Sequence, residues 1–114
     1  MHRLSEYFST MAVPSQMLTE LLAHTVSRTD CAEWCTDRVL GFRVDGSEYR
    51  LDLMKGMFAA QDINPDAWFE CSAEILNSLW SEQLLPQAAI ERGLLVVSGD
   101  VELLMRIGVV FVER

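Results

Sequence analysis

The sequence predicts an α+β fold, a mostly antiparallel sheet covered by helices. Three observations carry this. Apolar residues recur at helical spacing before residue 27 and again after residue 72. Between residues 39 and 54 the period changes to two. Asp45-Gly46 separates two alternating runs there, and such a dipeptide marks a tight hairpin because both residues tolerate positive φ.

The elements follow in chain order. Leu4, Tyr7, Phe8 and Met11 share one helical face. Pro14 ends that helix or opens the next, which carries Met17, Leu18, Leu21, Leu22 and Val26 over 15–27 with Ser15 as its N-cap. Leu40, Phe42 and Val44 alternate with polar or small residues in a first strand, and Tyr49, Leu51 and Leu53 do so in a second. Lys55-Gly56 turns into a third strand, Met57 to Ile63, and a loop at Asn64-Pro65-Asp66 leads to a fourth at Ala67, Phe69 and Cys71. Ser72 caps a helix striped by Ile75, Leu76, Leu79 and Trp80. Pro86 suits the first turn of another helix, and Gly93 its left-handed end. Leu94 to Val97 is a continuous apolar run, the pattern of a strand covered on both faces. Asp100 caps a last helix over 101–112. The order is ααββββααβα, read as one domain over 1–114.

Composition narrows the function. Half of the 114 residues are hydrophobic, more apolar surface than so short a chain can bury internally. Nine Lys and Arg face seventeen Asp and Glu, for a net charge of −8. The basic residues are scattered, so no stripe exists to neutralise phosphates, and nucleic acid is excluded as a partner. Asp100, Glu102 and Arg106 interrupt the most apolar stretch, Leu94 to Val112, which excludes stable membrane insertion. Cys31, Cys35 and Cys71 are odd in number and follow no secretory pattern, so reduced thiols and a cytoplasmic protein are expected.

The stretch from Phe69 to Asp100 resembles the sterol carrier protein type-2 domains. A strand runs into a Ser-capped helix with paired leucines, followed by a Pro-x-x-Ala helix, a Gly, an apolar strand and Gly-Asp opening the last helix. Pro86, Ala89, Gly93, Gly99 and Asp100 hold those positions, and Val39 to Gly56 resembles the family's first hairpin. The chain departs from the pattern at Ser81-Glu-Gln-Leu-Leu85, where many members have a Gly-containing link. The resemblance implies a five-stranded sheet backed by helices, with an apolar tunnel that takes sterols, fatty acyl chains or other lipids. It implies no shared catalytic residue, so no catalytic side chain, cofactor or metal is assigned.

The expected cavity lies between the helices 73–80 and 101–112. Its candidate lining is Phe42, Leu51 and Phe69 from the sheet with Ile75, Leu76, Leu79, Trp80, Leu104, Ile107 and Phe111 from the helices. Each serves equally well as plain core, since a stripe at helical spacing marks burial of any kind. Met54, Met57 and Met105 could supply an adaptable lining or fill core gaps. Cys31 and Cys35 share a helical face near His24, but zinc requires a fourth ligand. Asp62, Asp66 and Glu70 cluster around Asn64-Pro65 and are read as solvated carboxylates.

Three functions remain: a non-catalytic carrier of an apolar small molecule such as a lipid, isoprenoid or quinone; a component of a biosynthetic pathway that confines an apolar intermediate for an enzyme partner; and a homodimeric interaction module. The last rests on the helix 101–112, apolar nearly all round and therefore in need of a cover.

Overall fold

The computed structural model describes residues 13–28 and 37–113. In chain order these form α1 (Pro14–Val26), β1 (Val39–Val44), β2 (Ser47–Asp52), β3 (Met57–Phe58), β4 (Ala67–Cys71), α2 (Ala73–Trp80), α3 (Pro86–Glu91), β5 (Val96–Gly99) and α4 (Val101–Glu113). The helix expected over residues 4–12, with Cys31 and Cys35, lies outside the described residues. The five strands make one mixed sheet in the order β3-β2-β1-β4-β5. Three neighbouring pairs are antiparallel, and β1 and β4 run parallel.

Local chemistry sets most of these boundaries. Val44 faces Ser47 across the first hairpin, which leaves Asp45 and Gly46 as a two-residue loop at φ 50° and 85°. Positive φ at both positions matches the right-handed twist of the strands. The Asp45 carboxylate then accepts the Ala73 amide at 3.0 Å, while Ser72 Oγ accepts the Ile75 amide at 3.1 Å. Two otherwise unpaired amides at the start of α2 are thereby satisfied. Asp100 does the same for α4, accepting the Leu103 amide at 3.2 Å.

Three boundaries differ from the sequence expectation. Ser15 is not the N-cap of α1. Pro14 holds the first helical position and Val13 before it is extended, at ψ 151°. The proline ring presets its own φ and pushes the preceding residue out of the helical region. The third strand stops at Phe58 instead of reaching Ile63. Ile63 closes a turn onto the Ala60 carbonyl, and Arg50 reaches across to the Ile63 carbonyl at 2.7 Å and to Gln61 at 3.0 Å. The fifth strand begins at Val96, because the Leu94 and Leu95 amides both donate to the Ala89 carbonyl at the end of α3. It is an edge strand with Val96 exposed, and so is not covered on both faces.

The core lies between one face of the sheet and the helices. Leu40, Phe42, Val44, Leu51, Ala67 and Phe69 meet Met17, Leu18, Leu21 and Leu22 of α1, Leu76 and Leu79 of α2, and Leu103, Ile107, Val110 and Phe111 of α4. A chain of rings ties the layers together. Phe42 stacks on Phe69 at 5.1 Å, Phe69 meets Phe111 at 6.3 Å, Phe111 meets Trp80 edge-on at 6.0 Å, and Trp80 meets His24 of α1 at 5.7 Å. Alternation sends Trp68, Arg43, Arg50 and Glu70 to the opposite face. There the Arg43 guanidinium lies 4.4 Å from the Trp68 ring centre. Glu48 binds Arg43 and Arg50 at 3.0 and 3.1 Å, and these bonds hold its carboxyl below the usual range.

Two substitutions test this reading of the backbone. Gly99 sits at φ 99°, and a methyl group there would lie 2.4 Å from the Asp66 carbonyl oxygen. Gly99→Ala should lower stability by about 3 kcal/mol. Glu82, in the 81–85 link, adopts φ 63° without being glycine. Glu82→Gly should raise stability by about 1 kcal/mol by removing that strain. Urea midpoints at constant slope measure both.

Candidate functional site: an apolar groove between the third and fourth helices

An open-sided cavity of about 620 Å³ lies on the flank of α4 that faces α3. Phe69 of β4 and Val97 of β5 contribute from the sheet. Leu85, Pro86, Gln87 and Ile90 form one side, and Val101, Leu104, Met105, Gly108, Val109 and Val112 form the other.

The sequence of α4 explains the groove. Leu103, Ile107, Val110 and Phe111 make one apolar stripe that is buried against the core. Val101, Met105, Gly108 and Val112 follow the same three- and four-residue steps one position round the helix. A helix of this kind has two apolar faces, and only one meets the core. Val101 and Met105 are 67% and 68% exposed. Gly108 sits in mid-helix, where glycine costs about 1 kcal/mol relative to alanine. A methyl group added there would meet open space. Its lack of a side chain therefore widens the groove rather than relieving a clash.

The opposite wall is set by Pro86. It occupies the first turn of α3, and Leu85 before it is extended, at ψ 144°. Leu85 thus projects from the link while Ala89 is buried and Ile90 stays exposed. Among the described residues Gln87 is the sole polar side chain of the lining, and no charged side chain contributes to it.

Of the residues expected from sequence, Phe69 and Leu104 line this groove. Phe42, Leu51, Leu76, Leu79, Ile107 and Phe111 are fully buried in the core, with Ile75 and Trp80 packed partly buried against it. Between α2 and α4, where the cavity was expected, Trp80 and Phe111 are in ring contact. Met105 lines the groove, whereas Met54 and Met57 stand exposed near β3, at the opposite edge of the sheet. Leu85, Pro86, Gln87, Ile90, Val97, Val101, Gly108, Val109 and Val112 were not among the expected lining. The legible signal was the second apolar stripe of α4, and the wall it faces follows only from the position of α3.

Two members of the acidic cluster around Asn64-Pro65 make structural contacts. Asp66 accepts the Val39 amide at 2.7 Å, and Glu70 lies 3.7 Å from Arg43. Asp62 is exposed. Among the described residues no group of His, Cys, Asp and Glu could hold a metal ion, and no helix is long and apolar enough to cross a membrane. Burial pushes the Cys71 thiol up to about 11, aided by the nearby charges of Asp45 and Glu70. At neutral pH it is a protonated thiol and a poor nucleophile.

The model of the SCP-2 sterol transfer family matches residues 18–112. A comparison with curated proteins gives no match. Among solved structures, the chain is similar to sterol carrier protein-2 from Aedes aegypti in complex with palmitate. Identity is 20%, coverage 89% of this chain and 96% of that one, and the TM-score 0.68. It is similar to sterol carrier protein domain 2 of Helicoverpa armigera at 22% identity, with 87% and 84% covered and a TM-score of 0.67. It is also similar to UbiJ-SCP2, a ubiquinone synthesis protein, at 18% identity, with 85% and 95% covered and a TM-score of 0.61. These likenesses establish the five-stranded mixed sheet with its helices as the fold of that group.

Cys71 gives a pH prediction. Its folded pKa lies above the ordinary value of 9.0, so the folded state holds the proton more tightly than the unfolded chain does. The resulting stability is fully present below pH 9 and is lost as pH rises toward about 11. Urea titrations across that window should show the decline in the native protein and a smaller one in Cys71→Ser.

Proposed function

The chain belongs to the SCP-2 sterol transfer family, and from that premise we propose that it binds and carries an apolar small molecule in the groove between α3 and α4. The observation that carries this reading is the lining: an open-sided space of about 620 Å³ to which the described residues contribute eleven apolar or glycine positions and one glutamine. Cavities of roughly 300–1,000 Å³ with few polar groups are the usual form of a small-molecule site. Exposed apolar area of this kind is costly to leave in water, and a lipid chain laid along it removes that cost. The palmitate held by the Aedes aegypti protein shows such a cargo on the same fold. Presentation of the cargo to an enzyme in the cytoplasm is the second half of the reading. Its support is the similarity in fold to a ubiquinone synthesis protein.

Gly108→Leu tests the groove directly. The substitution replaces a poor helix former by a good one, worth about 0.8 kcal/mol. It also places a branched side chain in the cavity. Melting temperature should hold or rise, while affinity for a pyrene-labelled fatty alcohol falls at least about tenfold, two kinds of evidence that move in opposite directions. Unchanged saturable binding would place the ligand elsewhere. A dimer in light scattering that Met105→Glu dissociates would show the groove to be covered by a second copy instead.

A further inference from the structure

We infer that the groove selects a neutral apolar molecule with one small hydrogen-bonding head group, such as a long-chain alcohol, ketone or ester, over the corresponding carboxylate. The inference deepens the carrier reading above and rests on it.

Charge carries the argument. A carboxylate drawn into an apolar site needs a cation or several donors, or its desolvation outweighs what its chain gains. Among the described residues no charged side chain lines the groove. Of the described basic residues, Arg92 and Arg106 stand nearest to the lining in sequence, and neither contributes to it. Arg106 is engaged with other groups, and Arg38 at the foot of α4 is paired with Asp100. Glu91 and Glu102 adjoin the lining residues Ile90 and Val101 in sequence. A net charge of −8 adds a general repulsion of anions. Among the described lining residues Gln87 provides the polarity. It stands on the α3 wall, and its carboxamide offers both a donor and an acceptor. A hydroxyl or carbonyl oxygen matches that pair, whereas a carboxylate finds one neutral donor where it needs more.

A matched set of hexadecane, hexadecanol and palmitate at pH 8, where palmitate is ionised, tests this. Each competes with a fluorescent neutral hydrocarbon on the full chain. Hexadecanol should bind at least about tenfold more tightly than palmitate. Gln87→Leu should weaken hexadecanol by about fivefold and leave hexadecane unchanged. Gln87→Lys, at an exposed position that tolerates either side chain, should strengthen palmitate by at least about fivefold. Palmitate binding as tightly as hexadecanol in the native protein overturns the selectivity and leaves the carrier reading standing. No saturable binding by any of the three overturns the carrier reading, and the selectivity with it.

Discussion

The junction between β5 and α4 is the constraint on which the rest of the site depends. Gly99 packs its backbone against Asp66 and Ala67 so closely that no side chain fits between them. The next residue, Asp100, donates its amide to the Asp66 carbonyl at 2.9 Å. Its carboxylate caps α4 through Leu103 and pairs with Arg38, just before β1. Within two residues the chain thus closes the edge of the sheet, starts the last helix and ties that start to the first strand. The parallel pairing of β1 with β4 is what brings Arg38 and Asp66 to the same end of the sheet.

With its N-terminus fixed, α4 has little choice of orientation. Leu103, Ile107, Val110 and Phe111 enter the core, and Phe111 joins the ring chain between Phe69 and Trp80. The helix is then committed by packing on one side and left uncovered on the other. The groove is the space between that uncovered side and α3, whose start is set by Pro86 and whose end is turned toward β5 by the Leu94 and Leu95 amides. Stability draws on one face of this helix and the proposed binding on the other. This separates their mutational effects: Phe111 belongs to folding, Gly108 and Met105 to the cavity.

Much of the fold was legible in the residues themselves. Asp45-Gly46 dictates its hairpin, Ser72 and Asp100 cap their helices, and Ala67–Cys71 is a strand by alternation alone. These features act over a few residues. Where the expectation failed, a contact from farther along the chain decided. Arg50 shortens β3 by reaching to residues 61 and 63, and the end of α3 delays β5 by holding two amides. The site was half legible for a related reason. Helical spacing in 101–112 revealed a helix apolar on nearly every side, but periodicity reports burial and does not distinguish a filled core from a lined cavity. Phe42, Leu76 and Ile107 share the pattern of Leu104, yet they fill the core and Leu104 faces the groove. What tells them apart is the position of α3, which no local pattern encodes.

The proposed cargo site lies between α3 and α4. Isotope-filtered NMR of the ¹³C-labelled protein with an unlabelled long-chain alcohol tests it most directly. Contacts from the ligand chain to the methyl groups of Ile90, Val97, Met105 and Val109 are expected, and none to Leu76 or Leu79. Contacts confined to Leu76, Leu79 and Trp80, or to Met54 and Met57 at the far edge of the sheet, would contradict it.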